Sequence, residues 1–222
     1  RQRQMSIRDS LKAFSDASDA SRLTKDLGRV WHTDTTSIKP YSCCGSTHAY
    51  IDAALALRKK LGSPWNAQRG VRVGTSKVVD VQCGFDYSPG TVLNAQMSLR
   101  YAVAAALLDG QVLPGQFTDA RMAAPDVVNL CAHLELVPDP RLDELYPANF
   151  AGWVAAENNG QWERVDIMNP TGSSDVPINL AGVETKLRGI DAGLPLERIV
   201  PAIRKLEGQP VREFLGLFAV RK

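Results

Sequence analysis

The stretch FAGWVAAENNGQWERVDIM, Phe150 to Met168, decides the architecture. Phe150 to Glu157 and Gln161 to Met168 are strand-like runs joined through Asn158-Asn159-Gly160. Asn-Gly accepts positive φ at both central positions of a type I′ turn, so this stretch reads as an antiparallel hairpin. Just upstream, Leu136-Val137-Pro138-Asp139-Pro140 is an extended edge or loop, because proline gives no N–H to a sheet. Before it, Pro125 opens a helix through Val127, Val128, Leu130, Cys131 and Leu134.

Working further outward, Ala95 to Asp109 reads as one helix with Leu99, Val103, Ala106 and Leu107 inward and Gly110 ending it. Ala102 to Leu108 is apolar all round, which requires burial on most sides. Val71 and Val73 form a strand, followed by a short irregular or helical piece up to Gly84 and a turn at Asp86 to Gly90. Thr33, Thr35, Thr36 and Ile38 suggest another strand stopped by Pro40. Ile51, Ala54, Leu55, Arg58 and Leu61 share one face of a helix with Thr47 as its N-cap and Gly62 at its end. Near the N-terminus, Ile7, Leu11 and Phe14, then Leu23 and Leu27, recur at helical steps in two short amphipathic helices. Asn169 to Pro177 is turn chemistry throughout and reads as a domain boundary. Beyond it come a helical stripe Leu180/Val183/Leu187/Ile190, a helix from Leu196 to Leu206 kinked at Pro201, and another from Val211 to Phe218. Helices at both ends around a mixed centre give an α+β fold class.

Composition narrows the function. With 222 residues, 44% hydrophobic and 23% charged, the chain is globular, making one large domain or two small ones. Lys plus Arg is 26 against 24 for Asp plus Glu, without basic runs, which argues against nucleic acid. The longest apolar stretch, Tyr101 to Leu108, falls far short of the roughly 20 residues of a membrane span. No apolar run follows Arg1-Gln2-Arg3-Gln4 to make a signal peptide, so a cytoplasmic chain is expected. Cys43, Cys44, Cys83 and Cys131 fit neither a disulfide framework nor a CxxC site, and His32, His48 and His133 make no spaced metal motif. No metal or cofactor is expected.

The densest chemistry is Lys39-Pro40-Tyr41-Ser42-Cys43-Cys44-Gly45-Ser46-Thr47-His48, at a strand-to-helix junction. Helix N–H groups, the Lys39 charge and the donors of Ser46, Thr47 and His48 together suit an anion. The bland alternative makes Thr47 a cap, Cys43 and Cys44 small core residues and His48 a satisfied surface histidine. A thiolate nucleophile beside His48 is a further alternative, since a helix N-terminus and a cation lower a thiol pKa. Cys83 and Cys131 read as buried filler, Gly172-Ser173-Ser174 as a linker, and Arg100 as a solvated helix-entry residue or an anion ligand near Lys39.

Lys39 to Asp52 and Asn94 to Gly110, with Phe117-Thr118-Asp119 and the order of the later hairpin and helices, resemble the MmgE/PrpD family over nearly the whole chain. Its members carry out metal-free dehydration, decarboxylation or epimerisation of small di- or tricarboxylic acids of the methylcitrate/aconitate type. They are roughly twice as long, and this chain looks like their C-terminal half. The resemblance implies a mixed α/β lid at residues 31–177, with residues 1–30 and 178–222 belonging to an all-α domain. It makes Lys39, Tyr41, Ser46 and Thr47 the expected substrate contacts and Lys39, Cys44 and His48 the expected catalytic group. Relatives place a varied residue, including His, at Cys44, which leaves the reaction open. The family's N-terminal Asp/His acid/base pair has no counterpart here. The partner implied is a missing N-terminal helical half or a second copy in a homodimer. The alternative, from another class, is a catalytically silent binding or assembly subunit that keeps the fold. The isolated chain is accordingly expected to turn over no polycarboxylate unaided; light scattering and turnover assays, with and without an N-terminal half in trans, check this, and an active monomer would overturn it.

Overall fold

In the computed structural model, which describes residues 10–65, 68–190 and 193–218, Asn159 and Gly160 turn with φ of 52° and 80°. They join the last two of four strands: β1 Val71–Thr75, β2 Glu135–Pro138, β3 Gly152–Asn158 and β4 Gln161–Ile167. The sheet order is β2-β1-β3-β4. β3 runs antiparallel to both neighbours, with Val154 opposite Val73 and Val165, while β2 lies parallel to β1 at the edge. The Pro138 segment is thus an edge strand, where a missing N–H costs nothing.

Alternation of side chains along β3 splits the core. Val154 and Ala156 join Val73 in the main cluster with Ile51, Leu57 and Leu107, whereas Trp153 and Ala155 pack on the other face with Leu142 and Ala151. The helices behind the main cluster are His48–Leu61 and Leu99–Asp109. As its composition requires, the second is buried at Leu99 and continuously from Tyr101 to Leu107, and it ends at Gly110 with φ of 74°. The helix expected from Ala95 to Asp109 is instead two, Val92–Met97 and Leu99–Asp109. Ser98 breaks them: its backbone is extended and its side chain accepts from Tyr101 N at 3.2 Å. A serine hydroxyl competes for backbone groups and favours such a cap over a helix interior. Downstream, the helices are Leu180–Ile190, Leu196–Arg204 with Pro201 inside it, and Val211–Gly216.

The chain divides into two units, Arg1–Thr36 and Ser37–Lys222, the second holding everything above. In the first, residues 10–14 are helical, but Leu23 lies in a 3-10 turn, Ala20–Leu23, not in a second amphipathic helix. Ile7 lies outside the described residues. The strand expected from Thr33 to Ile38 is absent; His32–Thr35 is a 3-10 turn. Thr35 and Thr36 hydroxyls donate to His32 O, the local side-chain bonding by which threonine trades strand for turn.

Close packing of helix on sheet generates a stability test. A Cβ on Gly152 would stand 2.5 Å from the buried Tyr50 ring, whereas one on Gly160 meets nothing within 4 Å. Gly152→Ala is expected to destabilise the chain by about 2–3 kcal/mol through overpacking. Gly160→Ala, strained only in φ, should cost about 1 kcal/mol. Urea unfolding checks both, and equal midpoints would refute the packing account.

Candidate functional site

The loop that carries Lys39 is held from outside. Ser42 N donates to Val112 O at 3.0 Å, Cys44 N to Gln96 O at 2.9 Å, and the Gln96 side chain returns a bond to Ser42 O at 2.9 Å. The loop then tightens into a 3-10 turn, Gly45–Thr47, that runs directly into the helix beginning at His48. Thr47 was expected to cap that helix with its side chain, and it does not. Its backbone is already helical, and its hydroxyl donates back to Cys44 O at 2.8 Å and lies 3.3 Å from Cys43 Sγ. A turn that leads straight into the helix satisfies its first N–H with a backbone carbonyl, Gly45 O for His48 N, and leaves no cap vacancy.

His48 is only 3% exposed, so it is not a surface histidine. Its Nε2 has no hydrogen-bond partner. Burial, opposed by the Cys43 backbone and Asp52 but aided by the charges of Lys39 and Lys186, pushes its pKa down to about 4. At neutral pH the ring is therefore uncharged, with a lone pair on Nε2.

His48 lines a cavity of about 380 Å³ together with Lys39, Ser46, Phe150, Thr171 and Ser173 among others. The far wall is the 169–175 segment. Ile38 N donates to Gly172 O at 2.8 Å, and Gly172 must be glycine: its φ is 89° and a Cβ would stand 2.0 Å from Ile38 O. The segment read as a plain linker is thus a wall of the cavity. Asp52 ties the two walls, accepting Tyr41 OH on one oxygen and Thr171 N at 2.7 Å on the other. Burial and the Asp52 charge raise the Tyr41 phenol far above its usual value, so it stays protonated. The Tyr41 ring meets His48 edge-on at 5.2 Å.

Lys39, Ser46 and His48 line this cavity, whereas Tyr41 and Cys44 line a neighbouring groove of about 420 Å³ that Lys39 shares. Thr47 is fully buried and reaches neither. Cys44 is half-buried, and its thiol is lowered to about 5, first by the neighbouring Cys83 thiol and further by Ser46 and Lys39, against burial. Cys83 is buried as expected, yet it is this partner and not filler. Arg100 is mostly buried: it donates to Leu134 O and pairs with Asp86 at 3.4 Å. Sequence reading missed Asp52, Lys186, Cys83 and the 169–175 wall. Lys186 donates to Lys39 O at 2.6 Å from a distant helix, and no local signal marks it. Asp52 did carry a signal, since it lies one turn after His48 on the same helix. Among the described residues no group of three or more His, Cys, Asp or Glu stands ready to hold a metal, and no helix is long and apolar enough to cross a membrane.

An α+β domain in which a lysine and a buried, uncharged imidazole line one cavity is the class these features define. The MmgE/PrpD C-terminal domain model matches residues 41–197, and the chain belongs to that family. It is similar to the cis-aconitate decarboxylase of Aspergillus terreus, 29% identical over 84% of this chain and 37% of that protein. It is also similar to the cis-aconitate decarboxylase-like protein oryM of Aspergillus oryzae, 26% identical over 89% of this chain and 43% of that one. The chain spans less than half the length of these relatives.

The buried imidazole makes stability depend on pH. In the unfolded chain His48 takes a proton near its usual value of 6.5, but in the folded chain only near 4, so folding loses stability as pH falls through that window. The loss attributable to His48 should approach about 3 kcal/mol between pH 7 and pH 4. Urea unfolding of the parent and His48→Asn at both pH values checks this; the variant should show the smaller drop, and equal drops would contradict it.

Proposed function

We propose that this chain supplies the carboxylate-holding side of a lyase or isomerase site acting on a small di- or tricarboxylic acid, without a metal. The observation that carries the reading is one cavity lined by both Lys39 and the buried His48, whose Nε2 has no hydrogen-bond partner. The relatives support it, since the name of one is cis-aconitate decarboxylase and cis-aconitate is a tricarboxylate. Dehydration, decarboxylation and epimerisation of such acids share one demand: a proton moves at a carbon beside carboxylates, so charge must be held while a positioned group takes or gives that proton.

Lys39 anchors one carboxylate, with Ser46 and the N–H groups of the turn beside it. Neutral His48 accepts a proton at Nε2. A bound carboxylate offsets the Lys39 and Lys186 charges that depress His48, so binding and proton uptake reinforce one another. Cys44 and Tyr41 act from the adjoining groove: Cys44 as a thiolate facing Lys39, Tyr41 as the bridge to Asp52. Thr47, buried, contributes by holding the turn. In domain terms, we assign residues 31–177 to a lid and residues 1–30 and 178–222 to an all-α domain whose remainder is a separate helical half or a second copy.

Tricarballylate, a tricarboxylate without a leaving group, is the probe. Calorimetric titration of the chain should show binding that Lys39→Ala weakens by on the order of 1–3 kcal/mol, roughly five- to 150-fold. Proton uptake should accompany binding to the parent and vanish in His48→Asn. Equal affinity of the parent and Lys39→Ala would sink the proposal.

A further inference from the structure

Two other residues draw the Cys44 and Cys83 segments together. The helix Lys77–Cys83 packs on the Gly45–Thr47 turn, and Ser46 Oγ donates to Gln82 Oε1 at 3.0 Å. That clasp brings the ends of the two elements together, and Cys44 packs against the core cluster that holds Cys83, near enough for each thiol to shift the other's pKa. Their surroundings differ. Cys44 is half-buried and opens on the groove shared with Lys39, while Cys83 is fully buried at its helix terminus.

The other thiols serve as internal references. Cys43, though adjacent to Cys44 in sequence, turns into the core toward Thr47 Oγ1, and burial raises its thiol to about 11. Cys131 is buried on the Pro125–His133 helix, and burial raises it to about 12. A Cys43–Cys44 bridge is also disfavoured by geometry. Adjacent Cα atoms sit about 3.8 Å apart, inside the roughly 4.4 Å minimum that disulfides usually need.

We propose that Cys44 and Cys83 form an oxidisable dithiol, which hydrogen peroxide converts to an intramolecular disulfide at the edge of the Lys39 groove. The chemistry balances with peroxide as the only co-reactant. The Cys44 thiolate attacks one peroxide oxygen, the O–O bond breaks, and hydroxide leaves and takes up the proton Cys44 had released, giving water and a sulfenic acid. Cys83 then gives up its proton and attacks the Cys44 sulfur, forming the S–S bond and expelling the sulfenic oxygen as a second water. Two thiols are oxidised by two electrons and one peroxide is reduced to two waters. Cys44 is the site of first attack because a lowered thiol pKa and access both favour it, and Cys83 resolves because the Ser46–Gln82 clasp holds its helix end beside the Cys44 turn. The product ties the Gly45–Thr47 turn to the neighbouring helix and removes the negative charge facing Lys39. This inference stands apart from the lyase reading: it needs only the four thiols and their contacts.

Mild peroxide treatment of the reduced chain should consume two of its four thiols. Mass mapping without reductant should find one linked peptide pair holding Cys44 and Cys83, and dithiothreitol should reverse it. Cys83→Ser should stop at a Cys44 sulfenic acid that dimedone traps. Cys44→Ser should lose thiols roughly tenfold or more slowly than the parent. Four thiols retained in the parent, a bridge to Cys43 or between two chains, or a Cys44→Ser chain oxidised as fast as the parent would each overturn the proposal. The parent's mapping alone decides the linkage should either variant fail to fold.

Discussion

The Asp52 carboxylate is the joint on which the candidate site hangs. One oxygen takes the Tyr41 hydroxyl and the other takes Thr171 N, so a single charge holds the Lys39 loop and the 169–175 wall at a fixed separation. Charge-assisted bonds of this kind are about twice as strong as neutral ones, and the partly buried setting keeps water from competing. Asp52 shares a helix face with His48, and Tyr41, tied to Asp52, sets its ring edge against the imidazole. The orientation of His48, the position of the loop and the width of the cavity thus follow from one carboxylate on a helix that is itself pinned to the sheet.

Electrostatics at the site are set by distance from that helix start. Lys39 and Lys186 bring two positive charges to the loop, and each depresses His48. The Cys44 thiolate is the one lowered thiol among the described residues and faces the same lysine. The site therefore sets two cations against two anions, the Asp52 carboxylate and the Cys44 thiolate, beside an uncharged base. On the proposed reading an incoming carboxylate screens the lysines, restores basicity to His48 and weakens the pull that keeps Cys44 ionised.

What the sequence disclosed and what it hid divide by the range of the forces involved. The hairpin at Asn159-Gly160 and the apolar helix before Gly110 were legible because their signals are local: positive φ in the first, all-round hydrophobicity in the second. The Ser98 break and the turn at His32–Thr35 were misread because hydroxyls that bond to nearby backbone override the periodicity of their neighbours. The Lys39-to-His48 cluster stood out by composition, but nothing local tells that His48 points inward unpaired while Thr47 turns back on Cys44. Lys186, Cys83 and Thr171 reach the site only through tertiary packing, so their spacing in the chain carries no period to find.

The orphaned Nε2 also weighs between an active site and a silent relic of one. A buried polar atom without a partner costs on the order of 1–3 kcal/mol. In a purely structural role a Gln or Leu at this position would remove that cost, and the Cys43 carbonyl already accepts from Lys39 Nζ at 3.4 Å, so the fold does not need the imidazole to satisfy it. On the proposed reading that cost is recovered when a carboxylic acid held by Lys39 delivers a proton to Nε2 from the carbon beside its carboxylate. A binding-only subunit would leave that basicity without use.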